Sequence, residues 1–208
     1  MKKRKSRALT ALAVLVVLAA IAAAAMKLGL FERKNTVRDE PVPDWVDVQL
    51  IDIDGASRRG VKLEEINDIV VHYVGNPGTT AQQNRNYFNN PDSEVSSHFV
   101  IGLDGEVIQC VPLDEKSSAT SERNRDTISI EVCHPDETGA FSPAAYQQVV
   151  ELTAWLCRTF GLDPETDVIR HYDVTEKLCP LYYVEHPEAW DAFRADVAAE
   201  MDRQTAVS

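Results

Sequence analysis

Outside its first seven residues, the chain is poor in positive charge. The 208 residues include 21 Lys and Arg against 33 Asp and Glu, and five of the basic residues lie within residues 1–7. The rest of the chain therefore has 16 basic residues against 33 acidic ones, a net charge of −17. A surface this acidic repels phosphate backbones, so we expect no nucleic-acid partner. It repels anionic polymers and lipid head groups for the same reason, so attachment to a surface must come from another part of the chain.

The sequence also lacks internal repeats and low-complexity tracts. The stretch of about 160 residues from Trp45 onward suits one domain with a single hydrophobic core. Before it, residues 27–44 are polar and charged, contain Pro41 and Pro43, and show no apolar periodicity. This composition predicts a linker over residues 27–44 and a domain over residues 45–208.

Charge is absent from one long stretch, Ala8 to Met26. Its 19 residues are enough to span a hydrocarbon core of ~30 Å at ~1.5 Å per residue. Because the basic flank precedes this stretch, the positive-inside rule keeps the N-terminus in the cytoplasm. We therefore predict that residues 1–26 are a cytoplasmic basic leader and a transmembrane helix. The protein would then be a single-pass protein of the cell membrane, with its domain outside the cytoplasm.

A cleaved signal peptide is the alternative for this stretch. Ala23, Ala24 and Ala25 are small residues of the kind that a signal peptidase accepts. The apolar stretch is, however, longer than the roughly 7–15 residues usual in signal peptides. Cleavage would release the domain as a secreted protein, and both interpretations place the domain outside the cytoplasm.

Strand and helix signals alternate through the domain. Apolar or alternating patterns predict strands over residues 66–75, 97–103, 106–111, 127–133 and 167–169. Asp104-Gly105, between two of them, is a two-residue hairpin turn. Helices are predicted over residues 79–88, from Ser142-Pro143 to Gly161, and from Pro187 onward. This order predicts an α/β fold, a single domain with a central mixed β-sheet flanked by helices.

The densest group of reactive side chains lies between Arg170 and Pro180 and contains His171 and Cys179. Imidazole nitrogen and thiolate sulfur are ligands that zinc prefers. Their spacing of eight residues cannot place both on one helical turn, so they converge only if the chain doubles back. His72, in the predicted strand 66–75, is a third candidate ligand. Three protein ligands with a fourth position left to water are typical of a catalytic zinc site.

Two alternatives to this ligand set stay open at the level of sequence. Cys133 and His134 are adjacent and belong to the nearest rival set. The histidines and cysteines could also be core residues that bind no metal, because free cysteine is often buried as a small apolar side chain.

Three further polar side chains have either a structural or a chemical interpretation. Glu131 interrupts an apolar strand, so it faces either solvent or a polar cleft in which it acts as general base. Lys177, two residues before Cys179, is either a solvated surface lysine or a stabiliser of an oxyanion. His98 lies on another predicted strand and is a candidate for lining the same cleft, with a role in substrate binding.

The remaining cysteines have structural interpretations. Cys157 lies on the apolar stripe of a predicted helix and is expected in the core. Cys110 and Cys133 both fall late in predicted strands and are either free or joined by a disulfide. Sequence spacing cannot establish the required Cα separation, although the compartment would permit the bond.

Four segments together carry a family resemblance: IVVHYVG, SSHFVIGLDGEVIQCVP, DTISIEVCHPDETG and IRHYDVTEKLCP. In their residues and order the chain resembles the zinc-dependent N-acetylmuramoyl-L-alanine amidases of the type-2 amidase and peptidoglycan recognition protein family. The resemblance covers residues 45–197, and its first and last segments are the most specific. It implies that peptidoglycan is the substrate, cleaved between N-acetylmuramic acid and the L-alanine of the stem peptide.

The resemblance also assigns roles to particular residues. It implies a zinc ion held by His72, His171 and Cys179, with Glu131 as general base and Lys177 assisting catalysis. Several relatives have a catalytic tyrosine immediately before a strand histidine at the position of His98, and Ser97 occupies the place of that tyrosine here. The alternatives within this fold are a peptidoglycan-binding module without catalysis and a zinc peptidase that cuts elsewhere in the stem peptide.

Overall fold

The computed structural model describes residues 37–53, 56–90 and 92–207, which contain one six-stranded sheet. The strands are β1 (Val46–Val48), β2 (Asp68–Tyr73), β3 (Phe99–Ile101), β4 (Val107–Gln109), β5 (Thr127–Val132) and β6 (Val168–Arg170). Their order across the sheet is β1-β4-β3-β5-β2-β6. Only the β3–β4 hairpin is antiparallel among these pairs. The predicted mixed sheet is therefore confirmed.

Five α-helices surround this sheet in the described part of the chain. They are α1 (Ala81–Phe88), α2 (Pro143–Phe160), α3 (His171–Thr175), α4 (Leu181–Glu185) and α5 (Pro187–Val207). A 3₁₀ helix, Ser121–Arg125, precedes β5. The two single-turn helices α3 and α4, the 3₁₀ helix and the short strand β1 were not predicted from the sequence.

The ends of the longer helices follow from local sequence. Thr80 caps α1 by accepting a hydrogen bond from the Gln83 amide, and Ser142 caps α2 in the same way from Ala145. Pro143 fits the first turn of α2 because proline has no backbone N–H, and an N–H at that position has no acceptor within the helix. Gly161 ends α2 with φ of 67°, a left-handed conformation that glycine adopts without a steric cost.

The sheet separates two clusters of buried side chains. The larger cluster joins one face of the sheet to α2 and α5 and contains Ile128, Ile130 and Val132 of β5. The smaller cluster lies on the face covered by α1 and includes Val74 and Cys133. Because side chains alternate along a strand, residues 129, 131 and 133 face α1 rather than the main core. This alternation directs the polar residues of β2 and β5 toward a separate side of the sheet.

The structure decides the state of the cysteines. All four are free and buried, so Cys110 and Cys133 are not joined by the disulfide that the sequence left open. Cys157 lies in the larger core cluster, as predicted.

The described residues include only the end of the N-terminal region for which a leader, a transmembrane helix and a linker were predicted. The predicted transmembrane segment, within residues 1–26, and residues 27–36 of the predicted linker lie outside the described residues. Within the described ranges, none of the helices is long and apolar enough to cross a membrane. The end of the predicted linker contacts the domain: Val37 and Val42 pack against the larger core, and the Arg38 guanidinium donates to the Thr159 carbonyl at 2.6 Å.

Candidate active site

The first part of the site comes from two neighbouring parallel strands. His72 of β2 and Glu131 of β5 are directly paired in register, so their side chains leave the same face of the sheet. The His72 Nδ1 atom lies 3.8 Å from Glu131 Oε1. The His72 side chain is almost fully buried, whereas the Glu131 side chain keeps 19% of its surface exposed. The strand carboxylate therefore faces a cleft beside a buried imidazole.

The second part is a loop that folds back on itself after β6. Arg170 anchors its start through an ion pair with Asp173 at 2.7 Å and a hydrogen bond to the Tyr183 carbonyl at 3.0 Å. His171 begins α3, and the Tyr172 amide donates to the Cys179 carbonyl at 2.9 Å. That contact brings Cys179 back beside His171 and confirms that the chain doubles back.

The two parts bring three potential metal ligands together. One ligand atom from each of His72, His171 and Cys179 lies within 4.8 Å of the others, and all three residues are buried. Within the described residues, this is the one group of three or more His, Cys, Asp or Glu side chains that is arranged to hold a metal ion. The His171 Nδ1 atom is buried and has no hydrogen-bond partner in the described structure. Because buried polar atoms are normally paired, this free nitrogen fits a ligand position.

The electrostatic surroundings suit two neutral imidazoles. Burial lowers the pKa of His72 well below its ordinary value, and the neighbouring His171 and Lys177 lower it further. Burial also lowers the pKa of His171, with Lys177 adding to the effect. Burial raises the pKa of the Cys179 thiol to about 12 in the absence of a cation. A thiol that coordinates a metal ion loses its proton, so a bound cation reverses this last shift.

Glu131 and Lys177 complete the chemistry of this site. Burial raises the pKa of Glu131 to about 8, and the positive charge of Lys177 partly opposes that rise. The Glu131 Oε2 atom is buried without a hydrogen-bond partner among the described residues. Lys177 is exposed and lines the same cleft as the three potential ligands. The site thus combines a carboxyl group whose pKa is raised with an exposed positive charge.

The cleft has a volume of about 450 Å³, within the range of ordinary small-molecule sites. One wall comes from α1 and the loop before it, through Asn76, Gln83, Asn84 and Tyr87. A second groove, of about 680 Å³, shares His171 and Lys177 with the cleft. The potential ligands therefore lie where two open grooves meet, which leaves room for an extended molecule. The amide-rich sequence of α1 is the signal that could have identified this wall.

Comparison with known proteins places these residues in a family. The family model described as N-acetylmuramoyl-L-alanine amidase matches residues 62–181, a range that includes every residue of the cleft discussed above. This chain belongs to that family. The N-acetylmuramoyl-L-alanine amidase BlyA of Bacillus subtilis (strain 168) is 30% identical over an alignment of 171 residues, and the alignment covers 73% of this chain and 46% of BlyA.

Other relatives agree with this assignment. The N-acetylmuramoyl-L-alanine amidase CwlL of Bacillus licheniformis is 30% identical over an alignment of 166 residues, and the alignment covers 72% of this chain and 45% of CwlL. The chain thus spans about half the length of the curated relatives it matches. Among solved structures, the catalytic domain of XlyA has a TM-score of 0.64 and 25% identity, covering 73% of this chain and 98% of that domain.

Two polar residues of this amidase-family domain do not reach the cleft. His98 is fully buried, with Nδ1 3.1 Å from Ser129 Oγ and Nε2 2.9 Å from the Glu115 carbonyl. The prediction that His98 lines the cleft and binds substrate is therefore wrong, because both ring nitrogens are used inside the protein. Ser97 is also fully buried and donates to the Phe99 carbonyl at 2.6 Å.

The rival ligand set is not assembled in this family member. Both ring nitrogens of His134 lie 2.7 Å from backbone carbonyl oxygens, those of Asp136 and Val74. Cys133 belongs to the smaller core cluster, and its sulfur accepts a hydrogen bond from Asn84 at 3.5 Å. These side chains are committed to the fold, so they offer no competing metal site.

Proposed function

We propose that this protein is a zinc-dependent peptidoglycan hydrolase that cleaves the amide between N-acetylmuramic acid and the L-alanine of the stem peptide. One observation carries the proposal. In a chain of the amidase family, His72, His171 and Cys179 converge beside the carboxylate of Glu131 in an open cleft. Two imidazoles and a thiolate form a donor set that zinc prefers, and three protein ligands leave a coordination position for chemistry.

In this proposal His72, His171 and Cys179 hold the zinc ion. When bound, zinc supplies Lewis acidity, which lowers the pKa of a water molecule toward ~7 and polarises the scissile carbonyl. The protein keeps the imidazoles of His72 and His171 neutral, because burial and nearby positive charge lower their pKa values. Such residues need no proton loss before they coordinate a cation.

Glu131 is the general base. Its carboxylate takes a proton from the attacking water as the water oxygen bonds to the carbonyl carbon. It then passes that proton to the amide nitrogen as the C–N bond breaks, which yields a lactyl carboxylate and the free amine of L-alanine. The supporting observation is its position, 3.8 Å from His72 Nδ1 and open to the cleft. A pKa raised by burial suits a group that both accepts and donates a proton.

Lys177 stabilises the negative charge that develops on the carbonyl oxygen. Its side chain lines the cleft next to the metal ligands, and its charge acts on both histidines and on Glu131. One donor of this kind is typically worth ~10²–10³ in rate.

The location of the enzyme is part of the proposal. We infer from residues 1–26 that the protein is a single-pass protein of the cell membrane, with its amidase domain on the outer side, where peptidoglycan lies. Attachment through the N-terminus agrees with the acidic surface, which would be repelled by anionic polymers and lipids.

Mass spectrometry of peptidoglycan digested by the full chain tests this function. We expect free stem peptides that begin with L-alanine, together with glycan strands that retain the lactyl carboxylate. New termini elsewhere in the stem would indicate a zinc peptidase instead. Peptidoglycan that stays intact while the protein remains bound to it would indicate a binding module, and either result would overturn the proposal.

A further inference from the structure

Thr120 contacts the one ring nitrogen of His72 that does not face Glu131. Its Oγ1 atom lies 3.3 Å from His72 Nε2, and both residues are buried. On the other side of the same ring, Nδ1 lies 3.8 Å from Glu131 Oε1, at the cleft. The two nitrogens of this imidazole thus have different surroundings: a hydroxyl inside the protein and a carboxylate at the candidate metal site.

The position of Thr120 is fixed by its backbone. The Thr120 amide donates to Asn124 Oδ1 at 2.6 Å, and the Ala119 amide donates to the same oxygen at 3.0 Å. Asn124 itself lies in the 3₁₀ helix that follows. Because one side chain holds two consecutive amides, the threonine hydroxyl is held at a defined place beside His72. A hydroxyl can either accept from an Nε2–H or donate to a bare Nε2, but once Nδ1 binds a cation the proton lies on Nε2 and the hydroxyl is the acceptor.

We propose that Thr120 is a positioning residue that fixes the tautomer of His72 for zinc. Its hydroxyl oxygen accepts the Nε2–H hydrogen bond, which leaves the lone pair of Nδ1 for the metal ion. A neutral imidazole carries one N–H, and the hydrogen bond made by one nitrogen determines which nitrogen can bind a metal. The Nδ1 atom of His171 also has no hydrogen-bond partner in the described structure, so both imidazoles would bind the zinc ion through Nδ1.

This inference rests on the proposed zinc site and adds a residue to it. No sequence pattern indicates this role, because Thr120 lies 48 residues from His72 in the chain. Without the hydroxyl, the buried Nε2–H would have no acceptor, and an unpaired buried donor is costly. The other tautomer would then become more favourable, and it carries its proton on the nitrogen that zinc requires.

The test is the zinc affinity of full-length variants, measured by competition with a chelator. Thr120→Val keeps the shape but removes the acceptor, and we expect zinc to bind ~10–100-fold more weakly, as for other partners of metal-bound histidines. Thr120→Ser retains the hydroxyl and should restore affinity close to that of the wild type. Thr153→Val is the matched control, because Thr153 is a fully buried threonine of α2 whose Oγ1 has no partner among the described residues.

A second measurement needs no substitution and separates positioning from simple packing. Nitrogen-15 NMR of the zinc-loaded wild type should show the His72 proton on Nε2. A proton on Nδ1 would overturn the inference, as would Thr120→Val binding zinc as tightly as Thr153→Val. A wild type that binds no zinc would overturn the proposed function as well. Zinc binding without amide cleavage would overturn the function alone, and the zinc affinities of the Thr120 variants would then still decide the role of Thr120.

Discussion

Replacing Cys179 by serine is expected to remove zinc from the protein and to reduce amide hydrolysis by roughly 10³-fold or more. Lewis-acid activation by a metal ion is worth several kcal/mol of barrier, and each 1.4 kcal/mol corresponds to a factor of ten. Cys179 is buried beside His171 and contributes the only sulfur among the three potential ligands. A serine hydroxyl is a much poorer zinc ligand than a thiolate. Metal analysis and initial rates on the same preparation measure both effects.

Cys133→Ser is the control for this substitution. Cys133 is also free and buried, but it packs in the smaller core cluster on the α1 side of the sheet. We expect this variant to retain zinc and activity. If Cys133→Ser removed the metal while Cys179→Ser kept it, the ligand assignment would be wrong. Loss of the metal should also speed hydrogen exchange in residues 170–180, because metal binding is coupled to the ordering of its ligands.

Replacing Glu131 by glutamine is expected to lower kcat by ~10²–10⁴, the usual contribution of a positioned general base. Glutamine has nearly the same shape but cannot accept the proton of the attacking water. Zinc content and folding should stay normal, because Glu131 is not one of the three potential ligands. If Glu131 were a solvated strand residue instead, the change would alter stability by under ~0.5 kcal/mol and would barely change the rate.

The dependence of rate on pH identifies the role of Glu131 more directly. The base acts as a carboxylate, so kcat/KM falls as pH falls through its pKa. Burial raises that pKa, and Lys177 or a bound cation lowers it. This fall in kcat/KM at low pH should therefore disappear in Glu131→Gln. Lys177→Ala is the control, since it should lower kcat but keep the fall in kcat/KM at low pH. Near-normal turnover of Glu131→Gln would contradict the assignment.

The sequence predicted the parts of the fold whose signals are local. The caps at Ser142 and Gly161 and the alternating residues of β5 are decided within a few neighbours, and the structure confirms them. Short elements such as α3 and β1 were missed, because five or fewer residues show no clear period. The ligand trio was proposed from residue types, but its convergence depends on the turn between Tyr172 and Cys179.

Glu131 and His98 show that the sequence alone does not predict which polar strand residue reaches the cleft. Both are polar residues in apolar strand segments, and both were candidates for the cleft. The pairing of β2 with β5 brings Glu131 beside His72, whereas His98 meets Ser129 and the Glu115 carbonyl inside the protein. These partners come from separate parts of the chain, so no local pattern distinguishes the two cases. Thr120 was missed for the same reason.

The measurement that tests the central claim most directly is a zinc titration of the metal-free full chain on peptidoglycan. Stem peptides that begin with L-alanine are counted by mass spectrometry after each addition. We predict almost no release without zinc, a rise in proportion to added zinc, and a plateau at one zinc ion per chain. Full release by the metal-free chain, or no release at any zinc concentration, would contradict a zinc-dependent amidase built on His72, His171 and Cys179.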